Sequence, residues 1–152
     1  MSTITVRQAV LSDLEALVPL FDGYRQFYGR TSDLQAASGF LLERFNHGEL
    51  VLFIAHEGNK PVGFTQLYPS FSSVSLARIF VLNDLFVDVH ARRKGMASKL
   101  VAAAIDHASS LGAVRVSLST ATTNEAARTL YQSVGWKRDE QFFVYHFAIP
   151  ST

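Results

Sequence analysis

The chain has 152 residues, 48% of them hydrophobic, with a formal net charge of +1 and no cysteine. That length suits one domain with a substantial core; the near-neutral balance argues against nucleic-acid binding by bulk charge; and the missing thiols exclude disulfides and thiolate metal sites, which fits a reducing, cytoplasmic setting. The opening MSTITVRQAV lacks a basic segment ahead of an apolar one, and no apolar run approaches about 18 residues, so neither a secretory signal nor a membrane span is expected.

Positions 4–9, ITVRQA, alternate as a strand does. SDLE at 12–15 has capping-box spacing, with Ser12 placed to cap and Glu15 to reach back. Leu14, Leu17, Val18 and Phe21 follow at helical spacing, and Pro19 among them predicts a kink or a break. The aromatic run Tyr24, Phe27, Tyr28 ends at Gly29. A second helix is expected over 33–47, with Leu34, Ala37, Leu41 and Phe45 on one face and Gly48 to stop it.

The period then changes. ELVLFIAHE (49–57) and PVGFTQLYP (61–69) read as strands joined by a GNK turn. FSSVS (71–75) reads as a loop, and LARIFVLNDLFVDV (76–89) as a long central strand. Leu100, Val101, Ala104, Ile105 and Ala108 mark an amphipathic helix over 98–110, stopped by Gly112. AVRVSLST (113–120) is a strand, 124–134 a short helix ended by Gly135, and EQFFVYHFAI (140–149) a last strand. The order βααβββαβαβ, with hairpins in the middle and a strand–helix–strand crossover after them, predicts one α/β domain over 1–152. Its sheet is mixed, with helices on both faces.

Between the long strand and its following helix stands RRKGMA, Arg92 to Ala97. A helix N-terminus carries backbone N–H groups without intrahelical partners and a partial positive charge, so it suits an anion. Gly95 lets amides approach a phosphate, and Ala97 keeps the wall low. The segment therefore reads either as a pyrophosphate cradle or as a solvated basic turn with a glycine cap. It matches neither the P-loop nor the GxGxxG pattern.

A second constellation lies downstream: NEAARTLYQSVGW, with Asn124, Ala127, Leu130, Tyr131, Gly135 and Trp136. With R-x-x-G-x-A at 92–97, it resembles the GNAT family of N-acetyltransferases, in the branch that includes polyamine and small-amine acetyltransferases. The resemblance covers nearly the whole chain, including its element order. It implies a GNAT-like domain in which acetyl-CoA lies where two parallel strands, ending near Val89 and Thr120, splay apart. Backbone amides of Arg93, Lys94, Gly95, Met96 and Ala97 would then hold the pyrophosphate, aided by the Arg92 and Lys94 side chains. Val87 and Val89 would pair with the pantetheine arm, the Leu85 amide would polarise the acetyl carbonyl, and Asn124 would bond the cofactor arm. Tyr131 would protonate the leaving thiolate: a phenol of pKa about 10 can do so for a thiol of pKa near 8.5 when held in contact.

The acceptor amine must first lose a proton. At about pH 7.4 an alkylamine of pKa about 10.4 is only ~0.1% neutral, a handicap near 4 kcal/mol. LNDLFV resembles the LEDFFV and LEDLYV segments of polyamine acetyltransferases, where the glutamate is a proposed base. Here Asn83 stands in that place. It can orient a water but cannot take the proton. Asp84 is the adjacent carboxylate, although neighbours on a regular strand face opposite ways. Tyr24, Phe27, Tyr28, Gln66, Tyr68 and Arg78 are candidates to line the acceptor pocket, the aromatics for a cation and Arg78 for a carboxylate. The five histidines have no metal-ligand spacing, so no metal is expected. The resemblance further implies a small-molecule amine partner and a homodimer; the near-neutral charge with its single short cation run argues against nucleic acid, and the lack of a long apolar run against a membrane. The competing readings are a CoA-binding sensor without turnover and an acetyltransferase for a protein lysine or N-terminus.

Overall fold

The computed structural model describes residues 3–151, and contacts divide them after Ser119 into two compact units. The first unit holds a five-stranded sheet in the order β1-β2-β3-β4-β5. The strands are β1 (Ile4–Gln8), β2 (Val51–Glu57), β3 (Lys60–Ser72), β4 (Ala77–Val87) and β5 (Val116–Ser117). The first three pairings are antiparallel, and β4 pairs β5 in parallel. Three helices, α1 (Leu14–Phe27), α2 (Leu34–Asn46) and α3 (Met96–Ser110), complete this unit. The second unit contains α4 (Glu125–Ser133). The α/β class, the mixed sheet and the order of elements through α4 are those read from the sequence.

Several boundaries differ from expectation, each for a local reason. Helix α1 runs unbroken through Pro19. Proline forfeits one backbone bond there, while Leu17, Leu20 and Phe21 on the same helix are buried. Ser12 does not cap. The Asp13 carboxylate instead accepts from the Val10 amide at 2.8 Å and from Arg7 at 2.7 and 2.8 Å. Its bond to Arg7 leads the causes that hold its pKa down at about 2. Strand β3 continues to Ser72, so the turn into β4 is tighter than the 71–75 loop expected. β5 has two residues in place of 113–120, and 140–149 forms no strand among the described residues.

The sheet carries a separate layer on each face. On one, α1 and α2 bury Leu17, Leu20, Phe21, Ala37 and Leu41 against Leu52, Ile54 and Phe64. On the other, Met96, Leu100, Val101, Ala104 and Ala108 of α3 are buried, and His107 of α3 meets the rings of Phe53 and Phe80. The α1–α2 connection is tied by Asp22, whose carboxylate accepts from Gln26, Ser32 and the Asp33 amide at 2.7–2.9 Å. Those donors, the Asp33 amide first, favour the charged form and lower its pKa.

Gly63 of β3 lies tight against β4. A Cβ there would lie 2.8 Å from the Phe86 carbonyl oxygen and 3.4 Å from Val87 Cα. Because the obstacle is backbone, Gly63→Ala should destabilise by about 1–3 kcal/mol. A thermal melt checks this, and an unchanged midpoint would show that the two strands can part without cost.

Candidate active site

Strand β4 contains the feature that shapes the site. In its pairing with β3, Gln66 opposes Asp84 and Leu67 opposes Leu82, so Asn83 has no partner and forms a bulge. Gln66 and Leu67 are successive and face opposite ways, so their partners Asp84 and Leu82 do too. Before the bulge, Phe80 packs toward α3. After it, Phe86 packs on Tyr24 of α1. The extra residue thus sends Asp84 to the α1/α2 face, where regular alternation from Leu82 would have sent it to α3.

On that face Asp84 is 5% exposed and Gln66 is 0% exposed. Asn83 Nδ2 donates to Asp84 Oδ1 at 3.1 Å, and Gln66 Nε2 donates to the Tyr68 hydroxyl. Gln66 Oε1 has no hydrogen-bond partner among the described residues, while the Asp84 carboxyl takes bonds from Asn83 and Tyr24. Burial, only partly offset by bonds from Tyr24 and Asn83, raises the Asp84 pKa. The Tyr68 phenol is pushed up to about 12, first by burial and then by the charge of Asp84. The Tyr24 hydroxyl donates to the carbonyl of the bulged Asn83 at 3.3 Å, and its ring packs with Phe21, Tyr28, Phe64 and Phe86.

Of the acceptor-lining residues expected from sequence, Gln66 and Tyr68 therefore join Asp84, and Tyr24 reaches the same bulge. Tyr28 and Phe27 form the exposed end of the aromatic run, their rings 5.3 Å apart. Arg78 is elsewhere. It precedes the bulge, and its guanidinium lies 5.2 Å from the Phe71 ring centroid and 6.0 Å from that of Phe80, a ring on the α3 face. The bulge and its consequence were missed by sequence reasoning. The available signal was two adjacent polar residues, Asn83 and Asp84, inside an otherwise apolar run.

The end of β4 also departs from expectation. The strand stops at Val87: the Asp88 amide makes one more bond to β3, at the Val62 carbonyl, and the Asp88 carboxylate and carbonyl then accept from the His90 and Ala91 amides and turn the chain. Val89 therefore falls in a short 3-10 turn, Val89–Ala91, and is 64% exposed. Pairing of β4 with β5 is confined to Phe80↔Val116 and Val81↔Ser117, so the Leu82–Val87 half of β4, including Leu85, lies beyond it.

RRKGMA forms a left-handed step at Arg93 (φ 65°) and another at Gly95 (φ 76°), directly before α3. Such alternation turns successive N–H groups inward to make an anion nest, and the first turn of α3 adds amides that have no intrahelical acceptor. A Cβ at Gly95 would meet nothing within 4 Å, so the approach is open. This backbone fits a phosphate group. The cationic side chains are partly committed elsewhere: Arg92 Nε donates to the Val87 carbonyl at 2.8 Å with its guanidinium over the Phe27 and Phe86 rings, and Lys94 pairs with Glu57 at 2.7 Å.

In the second unit, Asn124 caps α4 by accepting from the Ala127 amide at 3.1 Å. Tyr131 is buried, with its ring centroid 5.6 Å from that of Trp136, and its carbonyl accepts from the Trp136 amide. Gly135, at φ 99°, permits that reversal.

The model of the Acetyltransferase (GNAT) family matches residues 14–136, and the chain belongs to that family. It is 47% identical over 148 residues to the uncharacterized N-acetyltransferase YhfO of Bacillus subtilis, covering 97% of this chain and 99% of that one. The crystal structure of a probable acetyltransferase superposes with a TM-score of 0.91 at 40% identity, over 97% of this chain and 99% of that chain. A CoA complex of the aminoglycoside N-acetyltransferase AAC(6')-Iy shares the fold, with a TM-score of 0.80 at 20% identity over 98% and 97%. No helix among the described residues is long and apolar enough to cross a membrane, and no cluster of side chains there could hold a metal.

Proposed function

We propose that this chain transfers the acetyl group of acetyl-CoA to a primary amine of a small molecule, by direct attack within a ternary complex. The observation that carries the reading is the bulge at Asn83, which delivers the buried Asp84 carboxylate to the face shared with Tyr24, Gln66 and Tyr68. Acetyl-CoA, when bound, supplies an activated thioester. The Gly95 nest and the α3 amides hold its phosphates, and the Leu85 amide steadies the charge that develops on the carbonyl oxygen. Asp84 takes the ammonium proton; burial raises its proton affinity toward that of a useful base. The amine nitrogen then bonds to the carbonyl carbon, the carbon–sulfur bond breaks, Tyr131 gives the leaving sulfur its proton, and the proton that the new amide nitrogen sheds returns to the Tyr131 phenolate while Asp84 releases its own to solvent. The near-complete burial of Asp84 supports a small acceptor over a protein lysine or N-terminus. We further propose that one domain of this kind spans 1–152 and acts in the cytoplasm as a homodimer, which light scattering would test.

Thiol release from acetyl-CoA tests the reaction. The chain has no cysteine, so any new thiol comes from CoA. Polyamines, lysine analogues, L- and D-amino acids, aminoglycosides and a basic peptide form the panel. Release with a small amine supports the reading; release with the peptide alone transfers it to protein substrates; and tight acetyl-CoA binding without release leaves a sensor.

Tyr131→Phe should lower turnover about 100-fold while leaving acetyl-CoA affinity within a few-fold, since proton donation of this kind is worth about 10²–10⁴. Equal loss of both, or no loss, would assign Tyr131 to packing on Trp136.

A further inference from the structure

The segment that builds the nest sends its first cation away from it. The nest leads into α3, on one face of the sheet. The Arg92 guanidinium lies on the other, 5.8 Å from the ring centroid of Phe86 on the α1/α2 side of β4 and 5.8 Å from that of Phe27 at the end of α1. Three contacts fix its pose: Nε donates to the Val87 carbonyl at 2.8 Å, and the two rings hold the cation. A guanidinium has five N–H bonds, and this clamp uses one. The four on Nη1 and Nη2 have no acceptor among the described residues, and Arg92 forms no ion pair there. Lys94 differs, since Glu57 answers its charge at 2.7 Å.

We propose that Arg92 is a specificity-determining residue whose guanidinium reads a carboxylate on the acceptor, so that the substrate class is a primary amine that also carries a carboxylate. The chemistry selects this class. A planar fork with its terminal N–H bonds open matches the two oxygens of a carboxylate, and a fork already held in place gives up little freedom when it binds. Solvent reaches it: Arg92 is exposed, and the adjoining rings of Phe27 and Tyr28 are each more than half exposed. That aromatic surface continues inward through Tyr24 to Phe86, which suits the carbon chain between the two ends of such an acceptor. The carboxylate-reading role expected of Arg78 thus passes to an arginine on the acceptor face. The rival anion is a phosphate of CoA, which has the backbone nest on the α3 side. This inference deepens the proposed acetyl transfer and rests on it.

Calorimetric titration of the full-length protein, with CoA present, measures binding without turnover. Each probe is a carboxylate paired with its neutral primary amide: L-alanine with L-alaninamide, 4-aminobutanoate with 4-aminobutanamide, and 6-aminohexanoate with 6-aminohexanamide. In at least one pair wild type should bind the carboxylate about tenfold more tightly, as a charge-assisted bond allows. Arg92→Met should abolish that preference, and Arg92→Lys, which keeps the charge without the fork, should lose it several-fold. CoA titrated alone should bind Arg92→Met within a few-fold of wild type. Thermal melting guards against misfolding; should Arg92→Met melt below the titration temperature, Arg92→Lys, with its stem and cation retained, carries the comparison. Equal binding of carboxylate and amide by wild type in every pair overturns the inference without any variant. An undiminished preference in the folded variants overturns it too, and a large loss of CoA affinity with the preference intact returns the guanidinium to the phosphates. If thiol is released from acetyl-CoA with amines in any of those cases, the role given to Arg92 is wrong and the acetyl-transfer reading stands. A carboxylate preference that depends on Arg92, without thiol release by any amine, keeps the carboxylate site and overturns the transfer reading.

Discussion

Asp84→Asn should lower kcat/KM for a primary alkylamine by about 100- to 1000-fold near neutral pH. The magnitude comes from the neutral fraction of the amine: without a base, only ~0.1% of an amine of pKa about 10.4 is competent at about pH 7.4. The variant keeps the shape of Asp84 and can still accept from Asn83, so the bulge should persist. Its pH profile is the stronger readout. In wild type, Asp84 must be ionised to take the proton, and burial raises its pKa, so activity should fall as pH drops through that raised value. In Asp84→Asn that descending limb should vanish. The rate should then climb about tenfold per pH unit toward the amine pKa, narrowing the gap to wild type. A variant that is slow by the same factor at every pH would show that Asp84 only binds the acceptor. One that is not slow at all would remove it from the site.

Gly95→Glu should weaken acetyl-CoA binding by at least 100-fold while the protein stays folded. Two effects oppose each other here. A non-glycine residue at φ 76° is strained, at a cost of roughly 1–2 kcal/mol. A carboxylate at the N-terminus of α3 is favourable to the helix dipole by about 0.3–1 kcal/mol. Apart from its chain neighbours, no atom of the described residues stands within 4 Å of the new Cβ, so the fold has room for it. The loss therefore falls on the ligand, whose phosphates would face a negative charge inside the nest built by Arg93 and Gly95. Gly95→Ala separates the causes: it shares the strain without the charge and should weaken binding no more than about tenfold. Retained micromolar affinity in Gly95→Glu would place the phosphates elsewhere.

The two positions differ in how far they could be read from sequence. Gly95 was legible because its meaning is local: a glycine just before an amphipathic helix constrains its own backbone, whatever lies beyond. The helices were legible for the same reason, from the spacing of Leu17 and Phe21 or of Leu100, Val101 and Ala104. Asp84 was not. Its face depends on how β4 pairs with β3, and one extra residue at Asn83 inverts every side chain after it. Alternation counted along the chain carries no information about such a slip. Arg78 was misplaced for the same reason, since it lies before the bulge. Val89 was assigned to the strand because its neighbours are apolar, whereas Asp88, accepting from the His90 and Ala91 amides, turns the chain first. The 140–149 stretch shows the limit in another form. Its residues have strand propensity, but a strand also needs a ladder, and Phe143, Tyr145 and Phe147 are exposed in the second unit.

The Asn83 bulge also decides which parts of the enzyme can change independently. Strand β4 works as a crossover between two neighbourhoods: its first half sends Phe80 and Leu82 to the layer under α3, and its second half sends Asp84 and Phe86 to the layer under α1. With the role proposed for Asp84, a lineage that trades one acceptor amine for another would recut the walls around it while the layer under α3 keeps its own packing. Tolerance to substitution is then partitioned by a single residue, with the proposed acceptor wall and the α3 layer on opposite faces of one strand.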